Sequence, residues 1–320
     1  MLEKVRYSKV FNQIRSFLQG IYLWDATVSL YWVLKILISK IIKIDIDQRA
    51  SSVAFSFVLA VFPSIIFVFT LIPYIPVAHL DVQIMHILAE IMPKELYKVA
   101  SITIQEIVSK PRVDILSIGF LIALYASTSG MMSLMRAFNM THKTTESRSF
   151  LRARMVAFFL TLLLAFVLVI AILTLIIGRI VADIMLDEGL LSANITYYTL
   201  NFTTYFVIFL LFLISVSIIY YFAPATQKKW KFFNVGSITS SFLIILITNV
   251  FSYYLSNFAS YNKLYGSIGT LIALMIWLYL IALVLILGFD INASLREAKR
   301  LNTQKTSASQ TETEVYYPNP

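Results

Sequence analysis

Polar groups set at regular spacing in apolar surroundings are the most chemically suggestive residues of this chain. Between Phe233 and Phe258, the side chains of Ser237, Ser241, Thr248, Asn249, Ser252 and Ser256 fall within about 120° of arc at helical periodicity, one polar stripe along an apolar helix. Hydroxyl and amide groups so placed either bond neighbouring helices or line a hydrated path. Ser127, Thr128 and Ser129, followed by Gly130, stand at mid-depth in another apolar segment; a cavity requires that they and the stripe converge, and otherwise they serve as helix packing. Arg136 and Asp290 lie near the same end of their segments, so they either pair with each other or reach interfacial water. Pro63 denies the carbonyl of Leu59 its helical donor, which predicts a kink or local opening.

Catalytic constellations are scarce. His79, His86 and Glu90 can share one helix face, but HExxH spacing and a Walker A sequence are both missing, and there is no cysteine. The expectation is therefore no metal, no cofactor and no enzymatic activity. Without an ATP-binding motif, any active transport would draw on an ion gradient, a partner ATPase or the substrate's own gradient.

The elements that carry these residues follow from composition. The 320 residues are 59% hydrophobic and 13% charged, about half the charge of an ordinary globular chain. Mean hydropathy is +0.79. A soluble enzyme, a disordered hub and a disulfide-stapled secreted domain are excluded. Six apolar segments long enough to cross a bilayer are expected at about 50–72, 113–138, 155–178, 200–222, 233–258 and 268–289. The fold class is all-α: a polytopic six-helix transmembrane bundle.

Three further pieces complete the expected organisation. Residues 1–49 form a cytoplasmic segment that shows no cleavable leader and carries an amphipathic interfacial helix at Ala26–Lys43, with Lys35, Lys40 and Lys43 on one face. Residues 77–110 read as two short amphipathic helices outside the membrane, either capping the bundle or resting at the interface. The six-helix domain spans 50–295, and residues 296–320 are polar and expected to be a disordered cytoplasmic tail.

Orientation follows from Lys and Arg. Eight lie in the first 49 residues, five between Arg136 and Arg154, three at 228–231 and four in the tail, against six on the other side. A 20:6 split puts both termini in the cytoplasm. Topology thus accounts for the net charge of +9 without a nucleic acid. Membrane lipids are the expected partners; a homo-oligomer or a protein partner is left open.

Several stretches together resemble the YihY/BrkB family of bacterial inner-membrane proteins, formerly labelled ribonuclease BN. They are Ala54 through Pro63, Gly130 through Asn139 with Arg148-Ser149-Phe150-Leu151-Arg152, and Tyr254 through Tyr261 with Tyr265 through Gly269. Trp277-Leu278-Tyr279 and Gly288 through Ala293 complete the match. It covers roughly residues 25–297, and the last stretch is the most specific. Many members carry Tyr-Thr where this chain has Ser56-Phe57, and Glu where it has Asp290. The resemblance implies a six-helix membrane bundle with a cytoplasmic amphipathic helix and an external helical insertion. For function it implies transport or export of a lipid-like envelope component, and a non-transporting scaffold for envelope assembly is the alternative. No cluster of residues for metal-assisted RNA hydrolysis is evident, so the ribonuclease label is expected to be wrong.

Overall fold

In the computed structural model the described residues are 9–21, 29–43, 45–71, 113–141, 148–187, 193–225, 231–257 and 267–316. Among them are eight helices and no β-sheet: α1 Lys9–Gly20, α2 Leu30–Lys43, α3 Ile46–Leu71, α4 Val113–Thr141, α5 Phe150–Asp187, α6 Ala193–Phe222, α7 Val235–Asn257 and α8 Ser267–Tyr316. Five of these, α4 to α8, are long and apolar enough to cross a membrane. The expected first span coincides with α3, which opens on Asp47 and Arg49 and is not among the five. The external insertion, with His79, His86 and Glu90, lies outside the described residues.

Local chemistry sets the helix ends. Asn234 caps α7: its Oδ1 accepts the Ser237 N–H at 2.9 Å, and Ser237 Oγ accepts the Asn234 N–H at 3.1 Å. At the other extreme, no Gly or Pro stands between Gly288 and Pro318 to stop the last helix. That helix runs to Tyr316, so residues 296–316 of the expected disordered tail are instead a continuation of α8. Tertiary contact supports the first turns of this extension: Leu295 and Ala298 pack against Val33 and Ile36 of α2, and Lys40 meets Glu297 at 2.8 Å.

α8 is the central helix and touches α2, α3, α4 and α7, while α4–α5, α5–α6 and α6–α7 close the rest of the bundle. α3 and α4 run antiparallel along their length, shown by the successive pairs Arg49–Thr141, Ser56–Ser133 and Ser64–Ser127. Gly130 permits this approach, since a Cβ there would meet the Phe57 ring at 2.9 Å. The α7–α8 crossing is closer still. A Cβ on Gly236 would overlap the carbonyl oxygen of Gly288, and one on Gly288 would overlap Ser240 Oγ.

The core gathers around three fully buried rings. Phe138 stacks on Phe289 at 4.2 Å, and Tyr220 meets both edge-on. Outside the core the apolar residues face outward: Phe120, Leu121, Phe159, Phe166, Phe202 and Val250 are all exposed. In water that surface would aggregate; against hydrocarbon it costs nothing.

Candidate functional site

Two features draw the polar residues together: a buried ionic cluster at one end of the bundle and a cleft farther in. At the end, Asp290 is fully buried and Arg49 nearly so. Arg49 Nη2 donates to Asp290 Oδ2 at 2.8 Å. Its Nη1 donates to Thr141 Oγ1 at 2.7 Å and to the Ala137 carbonyl at 3.2 Å. Thr141 in turn donates to Asp290 Oδ1 at 2.6 Å, so both carboxylate oxygens are occupied. The start of α3, the end of α4 and α8 are thereby tied at one point.

Neighbouring bonds extend this tie around the bundle. Asn139 Oδ1 accepts the Ala225 N–H at 3.0 Å, and Arg148 donates to the Ala223 carbonyl at 2.9 Å. Asn292 Oδ1 accepts the Gly236 N–H at 2.8 Å. Desolvating an ion pair is expensive unless its remaining hydrogen-bonding capacity is met, and here Thr141 and a backbone carbonyl meet it.

Of the two arrangements open to Arg136 and Asp290, the mutual pair does not form. Arg136 is exposed on the outside of α4 and takes no part in the cluster. Arg49 fills the role instead. Sequence reasoning counted it only as one more cytoplasmic cation, although a carboxylate at the end of an apolar span calls for a buried cation and Arg49 opens another span.

The cleft has a volume of about 670 Å³ and lies between α3, α4, α5, α6 and α8. Its walls are mostly apolar, with Phe57, Met131, Leu134, Leu164 and Leu278 among them, and it holds three hydroxyl groups: Ser64, Ser127 and Thr161. Ser64 and Ser127 approach to 3.4 Å, and Ser64 Oγ donates to the Ala60 carbonyl at 2.8 Å. Pro63 sits beside this wall, inside the helical run of α3. At 1.5 Å per residue, Ser64 and Ser127 lie about 20 Å along their helices from the ionic cluster. The arrangement can hold an apolar chain and offer it a few hydroxyls.

The stripe on α7 does not converge on this cleft. Asn249 is exposed on the outside of the bundle and bonds back to the Ile245 carbonyl at 2.8 Å. Ser252 is also exposed, and Thr248 accepts only a 3.4 Å contact from the Trp277 indole. Nothing is described for the Ser256 side chain. α7 packs on α6 and α8, so Ser127 and the stripe do not converge. Within the α4 triplet, Ser127 lines the cleft, Thr128 is buried against the Tyr125 carbonyl, and Ser129 turns toward Arg154.

Sequence comparison assigns the lineage. The profile of the virulence factor BrkB family matches residues 37–313. The chain belongs to the BrkB family. A family relative from Bacillus subtilis (strain 168), named "Putative ribonuclease-like protein YfkH", is 30% identical over 261 residues, covering 80% of this chain and 92% of its own. Two membrane proteins named UPF0761 match over shorter stretches. The one from Mannheimia succiniciproducens is 31% identical over 98 residues, covering 31% of this chain and 34% of its own. The one from Photobacterium profundum is 34% identical over 82 residues, 26% of each chain. No solved structure matches. This BrkB chain is thus a helical membrane protein. The Bacillus relative's name overturns one expectation: a ribonuclease-like name stands on a relative aligned over most of the chain, so the exclusion of enzymatic activity is withdrawn.

Proposed function

We propose that this protein is a multi-pass transporter of the bacterial inner membrane that moves a lipid-like envelope component. The observation that carries the reading is the cleft: an apolar space walled by five helices, with three hydroxyls on its surface. A non-transporting scaffold can have a closed bundle, whereas a translocator needs a lipid-accessible space within its spans. In this reading α3 is the sixth span, and the ionic cluster lies at the cytoplasmic end together with both termini, in keeping with the 20:6 division of basic residues.

Flux of a labelled phospholipid in proteoliposomes tests the proposal. Ser127→Phe, which fills the cleft, is expected to slow flux about tenfold or more. Asn249→Leu, on the outer face of α7, is expected to leave it unchanged. Wild-type protein no faster than empty vesicles would favour the scaffold.

A further inference from the structure

The polar atoms of the cleft wall are rich in acceptors and poor in donors. Ser64 Oγ donates to the Ala60 carbonyl at 2.8 Å, and Thr161 Oγ1 donates to the Ala157 carbonyl at 2.8 Å. A hydroxyl has a single proton and two lone pairs, so both groups have committed their only donor and can still accept. Ser127 Oγ stands 3.4 Å from Ser64 Oγ. With the Ser64 proton already on a carbonyl, the proton of that contact comes from Ser127. It is the one movable donor on the described wall, against three hydroxyl oxygens.

Nothing else on the described wall makes up the deficit. The other lining residues are apolar, and none carries a charge, an amide or a ring N–H. Each lining residue lies beyond the first turn of its helix, so its backbone N–H is already committed to the helical ladder. Pro63 adds to the imbalance from beside the wall, because it leaves the Leu59 carbonyl without its helical donor. An anion such as phosphate needs several donors or a cation to leave water, and buried without them it is expensive. An uncharged O–H or N–H finds here the partners it requires.

We propose that the cleft takes the uncharged, hydrogen-bond-donating end of a neutral lipid, a hydroxyl-bearing one of the diacylglycerol type, with Ser64, Ser127 and Thr161 as the accepting oxygens. This rests on the reading of the cleft as a lipid site and narrows what that site holds. The ligand hydroxyl gives its proton to an oxygen of the wall, and Phe57, Met131, Leu164 and Leu278 supply apolar surface for the chains. Ser127 is free to turn its own proton onto the ligand oxygen, because its contact with Ser64 is longer than a good O–H···O bond. A phospholipid enters by its chains alone, and its phosphate stays outside the wall.

The test uses the full-length protein in phosphatidylcholine nanodiscs that contain equal amounts of dioleoylglycerol and its acetate ester, which has the same chains and no donor. Lipids retained by monodisperse protein are counted by native mass spectrometry, and the part lost in Ser127→Phe, which fills the cleft, is the cleft-bound part. Wild type should hold the free alcohol over the acetate by about fivefold, the worth of one neutral hydrogen bond. Ser64→Ala combined with Ser127→Ala should abolish that preference without lowering retention of the acetate. Ser129→Ala, on the residue turned toward Arg154, should leave it unchanged. Dioleoyl phosphatidic acid in place of the acetate should show a smaller cleft-bound part than the alcohol. Equal cleft-bound retention of alcohol and acetate, a preference that survives the double alanine variant, or a larger part for phosphatidic acid overturns the donor assignment and leaves the cleft a lipid site. An equal loss of preference in Ser129→Ala overturns it as well. If Ser127→Phe displaces none of these lipids, the cleft reading itself falls.

Discussion

Arg49 and Asp290 hold charges where water does not reach, and the consequences of removing them differ from those of removing a surface pair. Arg49→Met strands the Asp290 carboxylate in the core, with Thr141 its remaining partner in the cluster. The expected cost is about 3–5 kcal/mol, read as a lower unfolding midpoint in detergent. The double variant Arg49→Met, Asp290→Leu removes both charges and should be milder than either single change. Arg136→Gln is the contrast: its side chain is exposed and outside the cluster, so the midpoint should move by no more than about 0.5 kcal/mol equivalent. A drop as large as that of Arg49→Met would restore Arg136 to a structural role.

Helix crossings impose tighter limits than single polar bonds. Gly236 and Gly288 let α7 and α8 meet backbone to backbone, and the atoms a Cβ would strike include a carbonyl oxygen that cannot rotate away. Gly236→Ala is therefore expected to destabilise by about 1–3 kcal/mol, the usual range for overpacking, seen in the same unfolding measurement. The α2–α8 contact is looser. Lys40–Glu297 is half exposed at its acidic end, so Glu297→Gln should cost no more than about 1 kcal/mol. Ala298→Asp should instead release α2, because it buries a charge against Val33 and Ile36. Faster amide exchange across 30–43 in that variant, with α3 still protected, is the expected signature. Uniform protection would show that α2 is held elsewhere.

At the scale of the molecule, the outward apolar surface and the asymmetric basic residues lead to one expectation. A reporter fused after Pro320 should be active only if it functions in the cytoplasm. Activity from a reporter that works only outside the cytoplasm would reverse the orientation. The chain has no cysteine, so introduced thiols report without background. A thiol at 249 faces outward beside Val250 and should resist water-soluble reagents.

Composition and apolar run lengths alone determined that the chain is helical and lives in a membrane, because a segment of 20 apolar residues has few other ways to satisfy its backbone. Motif order carried the family in the same way, through stretches such as Gly288 through Ala293. Periodicity also located Ser127 and the α7 stripe as single-helix features. It could not say which helix faces which. A stripe on one helix becomes a path only if another helix stands opposite, and α7 turned out to face α6 and α8, leaving Asn249 outside. The partner of Asp290 was undecided for the same reason. Arg49 and Asp290 are 241 residues apart, and only the packing of α3 against α8 brings them together. The tail shows the converse limit: its polar composition suggested disorder, but α2 docked on its first turns and nothing in its sequence stopped the helix. Pairwise helix packing is a tertiary property, so the cleft and the ionic cluster were decided only there.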